Sequence, residues 1–144
     1  MSVIEFTIIC HDRVGELARV VAPLAQAKIN IRGCEIAAHR DYSELRLIVE
    51  DVAKTKKAFA EKGIAFTTAE VIAVELENTP GELYRMAKAL ADGGISIMYI
   101  YPLLDRTPLS VAIMRVPDKE LDGAIRLLEK EGFSFIVEHG PEQE

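Results

Sequence analysis

Tryptophan is missing from this sequence, cysteine occurs only at Cys10 and Cys34, and no apolar run approaches the roughly 20 residues that a bilayer-spanning helix needs. Two thiols fit a reducing compartment in which cysteine serves as a small hydrophobe, so a cytoplasmic location is expected, and the sequence leaves a Cys10–Cys34 disulfide open. Met1 to Thr7 reads directly as a strand with Glu5 inside it, so neither a signal peptide nor an anchor is expected. Basic charge is also short. With 17 Lys and Arg against 23 Asp and Glu, the net charge of −6 on average repels phosphate backbones and anionic lipids, which argues against nucleic acid and membrane as partners. Neither Gly-x-Gly-x-x-Gly nor Gly-x-x-x-x-Gly-Lys occurs, which removes the common phosphate-cradling loops. No Cys-x-x-Cys or His-x-x-x-His spacing offers a metal site, so neither metal nor cofactor is expected.

What the chain does have is a duplication. At an offset of 66, Gly15-Glu16-Leu17 falls on Gly81-Glu82-Leu83, Leu24-Ala25 on Leu90-Ala91, and Ile29-Asn30-Ile31 on Ile95-Ser96-Ile97. Further on the offset grows to 69, where Gly63-Ile64-Ala65-Phe66 meets Gly132-Phe133-Ser134-Phe135. The two copies differ by a short length change of the kind loops absorb.

Each copy runs through the same order of periodicities. In the first, Ile4, Phe6 and Ile8 share one face of a strand, and a turn at His11 to Gly15 follows. Leu17, Val20, Val21, Leu24 and Ala25 then recur at helical spacing, with Pro23 predicting a kink or an opened turn. Ile29 to Ala38 and Leu45 to Val49 form a hairpin about His39-Arg40-Asp41, a helix spans about 52–62 with Gly63 after it, and Phe66 to Val71 supplies a fourth strand. The second copy repeats this with strand Ile72 to Leu76, a helix on Leu83, Met86, Ala87, Leu90 and Ala91, strands Ser96 to Tyr101 and Ser110 to Val116, a helix on Leu121, Ala124, Ile125 and Leu128, and strand Ser134 to Glu138. The fold class is therefore α+β: two tandem ferredoxin-like βαββαβ modules, 1–70 and 71–139, each an antiparallel sheet with both helices on one face, followed by a flexible tail, 140–144. Val3, Ile9 and Ile48 in one module, and Val74, Ala112 and Met114 in the other, are read as apolar positions facing away from the helices. A second module or subunit is the expected cover for them.

The chemistry lies in the strand-to-helix turns, Cys10-His11-Asp12-Arg13-Val14-Gly15-Glu16-Leu17 and Leu76-Glu77-Asn78-Thr79-Pro80-Gly81-Glu82-Leu83. Free N–H groups at a helix N-terminus attract an anion, and glycine admits a ligand close to the backbone, so a carboxylate suits the turn. Asp12 or Asn78 offers oxygen acceptors to an ammonium, so one turn can grip both ends of an amino-acid zwitterion. A plainer reading stays open: Asp12 and Asn78 initiate the helices, Pro80 pre-sets the first turn of the second, and the glycines let helix and sheet pack closely.

These turns, each followed about a dozen residues later by Ile29-Asn30-Ile31 or Ile95-Ser96-Ile97, resemble the ACT domain family over nearly the whole chain, twice. The resemblance implies amino-acid binding at module or subunit interfaces and a regulatory role in amino-acid metabolism. It also implies a stand-alone protein with no catalytic domain and no catalytic residues; a homodimer is expected from the need to cover the sheets. The site it implies comprises Asp12, Arg13, Val14, Gly15, Glu16 and Leu17 with Asn30 and Ile31, and Asn78, Thr79, Pro80, Gly81, Glu82 and Leu83 with Ser96 and Ile97. The second turn matches the family's Asn-x-Pro-Gly pattern, whereas the first has Asp12 and Val14 at the Asn and Pro positions. An ionised Asp12 favours an ammonium and opposes a carboxylate, which predicts unequal sites. The alternative is a protein-interaction subunit that regulates an amino-acid biosynthetic enzyme partner without a ligand of its own.

Other constellations fall away. Cys10, His11 and Asp12 are consecutive, so their side chains diverge and form neither a metal site nor a nucleophile–base pair. His39 and His139 read as surface residues, Arg40 and Arg106 as solvated hairpin residues, and Asp41 with Glu44 as an exposed turn. Tyr99 and Tyr101 share a strand face, but without a basic aromatic pattern they read as interface or pocket-wall residues rather than an RNA platform.

Overall fold

The computed structural model describes residues 2–11, 13–104 and 109–137. Among these it places six antiparallel strands and four α-helices: β1 (Val3–His11), α1 (Glu16–Gln26), β2 (Ile31–Ala38), β3 (Tyr42–Val49), α2 (Val52–Glu61), β4 (Thr67–Leu76), α3 (Glu82–Asp92), β5 (Tyr99–Pro102), β6 (Ser110–Arg115) and α4 (Leu121–Lys130). The α+β class and the tandem βαββαβ order read from the sequence are those of the structure. The chain divides into two compact units, one of Ile4–Ala69 and one running from Glu70 onward that also takes in Val3.

In the first unit the strands lie in the order β2-β3-β1. β1 lies antiparallel to β3 with Phe6 opposite Leu47 and Ile8 opposite Leu45, and β2 lies antiparallel to β3 with Cys34 opposite Leu47. Alternation then dictates the core: Phe6, Ile8 and Cys10 join Leu45, Leu47 and Val49 under Val20 and Leu24 of α1 and Ala58 and Phe59 of α2. Phe6, Phe59 and Phe66 meet pairwise at 5.3–5.9 Å between ring centroids, within the range that edge and tilted aromatic pairs favour. α2 begins where the Asp51 carboxylate accepts the Lys54 N–H at 2.9 Å, a side-chain cap, and Gly63 follows it at φ +66. α1 keeps its helical path from Glu16 to Gln26 with Pro23 buried inside it.

In the second unit the order is β4-β6-β5, and the place of a fourth strand is taken by Ser134 to Ile136. There Glu75 donates its N–H to the Ser134 carbonyl at 2.8 Å and Ile136 donates to Ala73 at 2.9 Å around a single bridge, Val74 with Phe135. Glu138 and the tail 140–144 lie outside the described residues. Two boundaries differ from the sequence reading. The strands expected at Phe66 to Val71 and Ile72 to Leu76 are one continuous β4, because the apolar run Val71 to Val74 crosses the boundary with no turn residue to interrupt it. The strand expected from Ser96 starts at Tyr99, although Met98 already donates to the Arg115 carbonyl at 2.8 Å.

One assignment of faces is corrected. Val74, Ala112 and Met114 do not point away from the helices; they sit with Ile72 and Leu76 in the cluster packed under Met86 and Leu90 of α3 and Ala124 and Leu128 of α4. Parity explains the error, since a strand read one residue out turns every side chain over. The opposite face carries Val71, Ala73, Val111 and Ile113, which are buried, as are Val3 and Ile48 in their strands. Of the three positions Val3, Ile9 and Ile48, Ile9 is the exposed one, at 52%.

Candidate functional site: the glycine turns

Each turn closes the same way. After β1 the Arg13 N–H reaches the His11 carbonyl at 2.8 Å, and after β4 the Thr79 N–H reaches the Glu77 carbonyl at 2.8 Å. The chain then passes through Gly15 at φ +88 and Gly81 at φ +91, left-handed values that cost an L-residue about 1–2 kcal/mol. These glycines are the N-caps, and the first helical bonds return to their carbonyls, from Arg19 and from Arg85, at 2.9 Å. Glycine has no side chain to cap a helix, so the oxygen that a Ser, Asp or Asn N-cap would place over the first-turn amides is absent at that position. The reading in which Asn78 initiates α3 as its cap therefore does not hold: the N-cap is Gly81, three residues later. Asp12 lies outside the described residues, as do Arg106 and His139.

The glutamates that follow serve a local purpose. Glu16 is buried, and its carboxylate accepts the His11 N–H at 3.2 Å and two hydrogen bonds from Arg19, at 3.1 and 3.0 Å. Arg19 beside it, aided by that backbone N–H, holds the Glu16 carboxyl below the usual carboxylate range, against the opposing effect of burial. Glu82 repeats the arrangement with Arg85, at 2.7 Å. Arg85 goes further: it donates to the Glu131 carbonyl at 2.8 Å and its guanidinium lies 3.8 Å from the centre of the Phe133 ring. Arg19 and Arg85 were missed by a reading centred on the glycines. The signal was present, since Glu-x-x-Arg recurs at the offset of 66 and residues three apart meet on a helix.

Around the glycines the turns are open. Arg13 and Val14, and Asn78, Thr79 and Pro80, are exposed, as are Leu17 and its counterpart Leu83. Nothing stands within 4 Å of where a β-carbon would sit on Gly15 or Gly81. The remaining expected site residues divide by role. Ile31 and Ile97 pack against the helix-side clusters, while Asn30 and Ser96 are exposed just before β2 and β5. Among the described residues, no hydrogen bond or ion pair joins Ser96 or Ile97 to the 78–83 turn. No group of three or more His, Cys, Asp or Glu side chains able to hold a metal occurs among them either.

A family model for the ACT domain pair matches residues 1–140. This chain belongs to the ACT domain pair family. Among solved structures, this ACT pair is similar to protein BT0572 from Bacteroides thetaiotaomicron, with 26% identity, a TM-score of 0.85, and coverage of 94% of this chain and 92% of that one. It shares its fold with the regulatory subunit of aspartate kinase from Thermus thermophilus, at 16% identity and a TM-score of 0.62, covering 88% and 90% of the two chains. The corresponding subunit from Thermus flavus is similar at 19% identity and a TM-score of 0.52, over the same shares. No curated protein matches the ACT pair. No helix among its described residues is long and apolar enough to cross a membrane.

Proposed function

We propose that this ACT pair is a non-enzymatic, cytoplasmic regulatory protein that binds a free amino acid at its glycine turns and works as a homodimer. The observation that carries the reading is the repetition of one open geometry at Gly15 and Gly81. Both have a left-handed glycine as N-cap, no capping side chain at that residue, and exposed backbone in front of the helix, while in the second turn the Glu82 N–H also donates to the Thr79 carbonyl at 3.4 Å. First-turn helix amides suit a carboxylate. The nearby Glu16 and Glu82 would repel one, but Arg19 and Arg85 neutralise them in place, and both arginine side chains remain about half exposed and within reach of the turn. Asn78 supplies an uncharged acceptor for the ammonium in the second turn. The similarity to an aspartate kinase regulatory subunit supports a regulatory role by likeness of fold.

Isothermal titration of the full chain with each standard amino acid tests this. A saturable response to at least one is expected, weakened by Gly81→Asp and abolished when Gly15→Asp is added, since each change places a carboxylate where the ligand's would lie. Folded protein that gives no heat with any of them would end the proposal. Sedimentation with and without the responding amino acid reads the assembly: a dimer supports the homodimer, and a monomer under both conditions removes it.

A further inference from the structure

At the C-cap of α3, Gly93 lies close against α4, and an added β-carbon there would collide with Leu127 Cδ1. The same helices border an open groove of about 820 Å³. Its floor is apolar, from half-buried Ala89 and Leu127 with Gly93, and its rims are cationic, with Arg85 and Lys88 on α3 and Arg126 and Lys130 on α4. This concentration runs against the composition of the unit. Residues 70–144 hold seven Lys and Arg against fourteen Asp and Glu, yet four of the seven line this groove, with only Asp92 and Glu131 opposing them. Two of the cations are engaged: Lys88 pairs with Asp92 at 2.7 Å, and Arg85 is held by Glu82 and the Glu131 carbonyl. Arg126 and Lys130, one turn apart and exposed, form no ion pair among the described residues.

We propose that this groove docks an amphipathic helix of a partner protein whose apolar stripe is flanked by Asp and Glu. The floor accepts an apolar ridge between two helices, and the small side chain of Ala89 allows close approach. The rims then meet the flanking carboxylates, which sets orientation and excludes basic partners. A nucleic acid fits less well. Its phosphate backbone would run beyond the groove over a unit with twice as many acidic as basic residues. A small metabolite is disfavoured because such ligands are mostly enclosed, whereas the charged side chains here stand open to solvent.

The test is a displayed library of helical peptides selected on the folded full chain, with the double variant Arg126→Glu, Lys130→Glu as the counter-target. Both side chains are exposed, and an unchanged melting temperature of the variant verifies that the fold is kept. Enriched peptides should carry Leu or Ile at helical spacing with Asp or Glu beside it. Their affinity should fall by at least about tenfold on the double variant and return when the peptide acids are changed to Lys. The proposal is overturned if nothing is enriched, if enriched peptides bind both proteins alike, or if a single-stranded RNA oligonucleotide displaces them at equal concentration. The amino-acid response at the glycine turns is independent of these two residues, so either result can fail without the other.

Discussion

Arg19 closes onto Glu16 through two parallel contacts, Nε to Oε1 at 3.1 Å and Nη2 to Oε2 at 3.0 Å, on the first turn of α1. Because the folded-state pKa of Glu16 is depressed, the pair contributes stability that is present above the unfolded glutamate value, near 4.3, and is lost as pH falls through the folded one. Urea unfolding followed from neutral pH downward should therefore show an acid-side decline that flattens in Glu16→Gln. An identical decline in both proteins would mean that the pair is not coupled to folding.

At Gly15 and Gly81 the space around the missing β-carbon is empty, so substitution there is opposed by backbone conformation alone. Gly81→Ala should lower unfolding free energy by about 1–2 kcal/mol, and Gly81→Asn by less, since asparagine tolerates the left-handed region. Chemical denaturation of the two variants checks the order. Equal losses would point to a steric cause that the geometry does not contain.

Gly93 presents the opposite case. Its φ of −83 suits any residue, but its β-carbon would collide with Leu127 Cδ1. Gly93→Ala should destabilise by about 1 kcal/mol, at the low end of overpacking, because the atom met is the end of a side chain that can turn aside. Placing the same change in a Leu127→Ala background should remove that cost. A double-mutant cycle with no coupling would refute the contact.

The two thiols should react very differently. Cys34 is exposed on β2, whereas Cys10 is buried beneath α1, and burial first, then the Glu16 carboxylate, pushes its thiol up in pKa despite the opposing Arg19. Iodoacetamide at mildly alkaline pH, read by mass spectrometry, should modify Cys34 first and reach Cys10 only on unfolding. Equal rates in native protein would show that β1 opens at its end.

Much of this was readable before any coordinates, and the reason differs by element. Phe6, Ile8, Leu45 and Leu47 announce themselves because a strand with one buried face must alternate, and Val20, Leu24, Met86 and Leu90 because a helix must bury one stripe. The ends of elements were less secure. Nothing local distinguishes a strand stopping at Val71 from one running on to Leu76, and Ser96 to Met98 look extended without being paired in a named strand. The face of Val74 was misread for a related reason: in a strand apolar on both sides, hydrophobicity carries no parity, and its packing with Met86 and Leu90 of α3 settles it. In the turns, the glycines were legible from their repetition. That they themselves cap the helices was not, because Asp12 and Asn78 stand where a capping residue is ordinarily sought.

β4 passes from the first repeat to the second within a single run of ten strand residues, Thr67 to Leu76. The point at which the duplication divides the sequence is therefore not a point at which the polypeptide can be severed. A gene split between Glu70 and Val71 would cut through a strand, and a tag inserted there would interrupt it next to Ile72 to Leu76, which pair with β6. With no spacer between the two repeats, an insertion is better placed in a loop than at this junction.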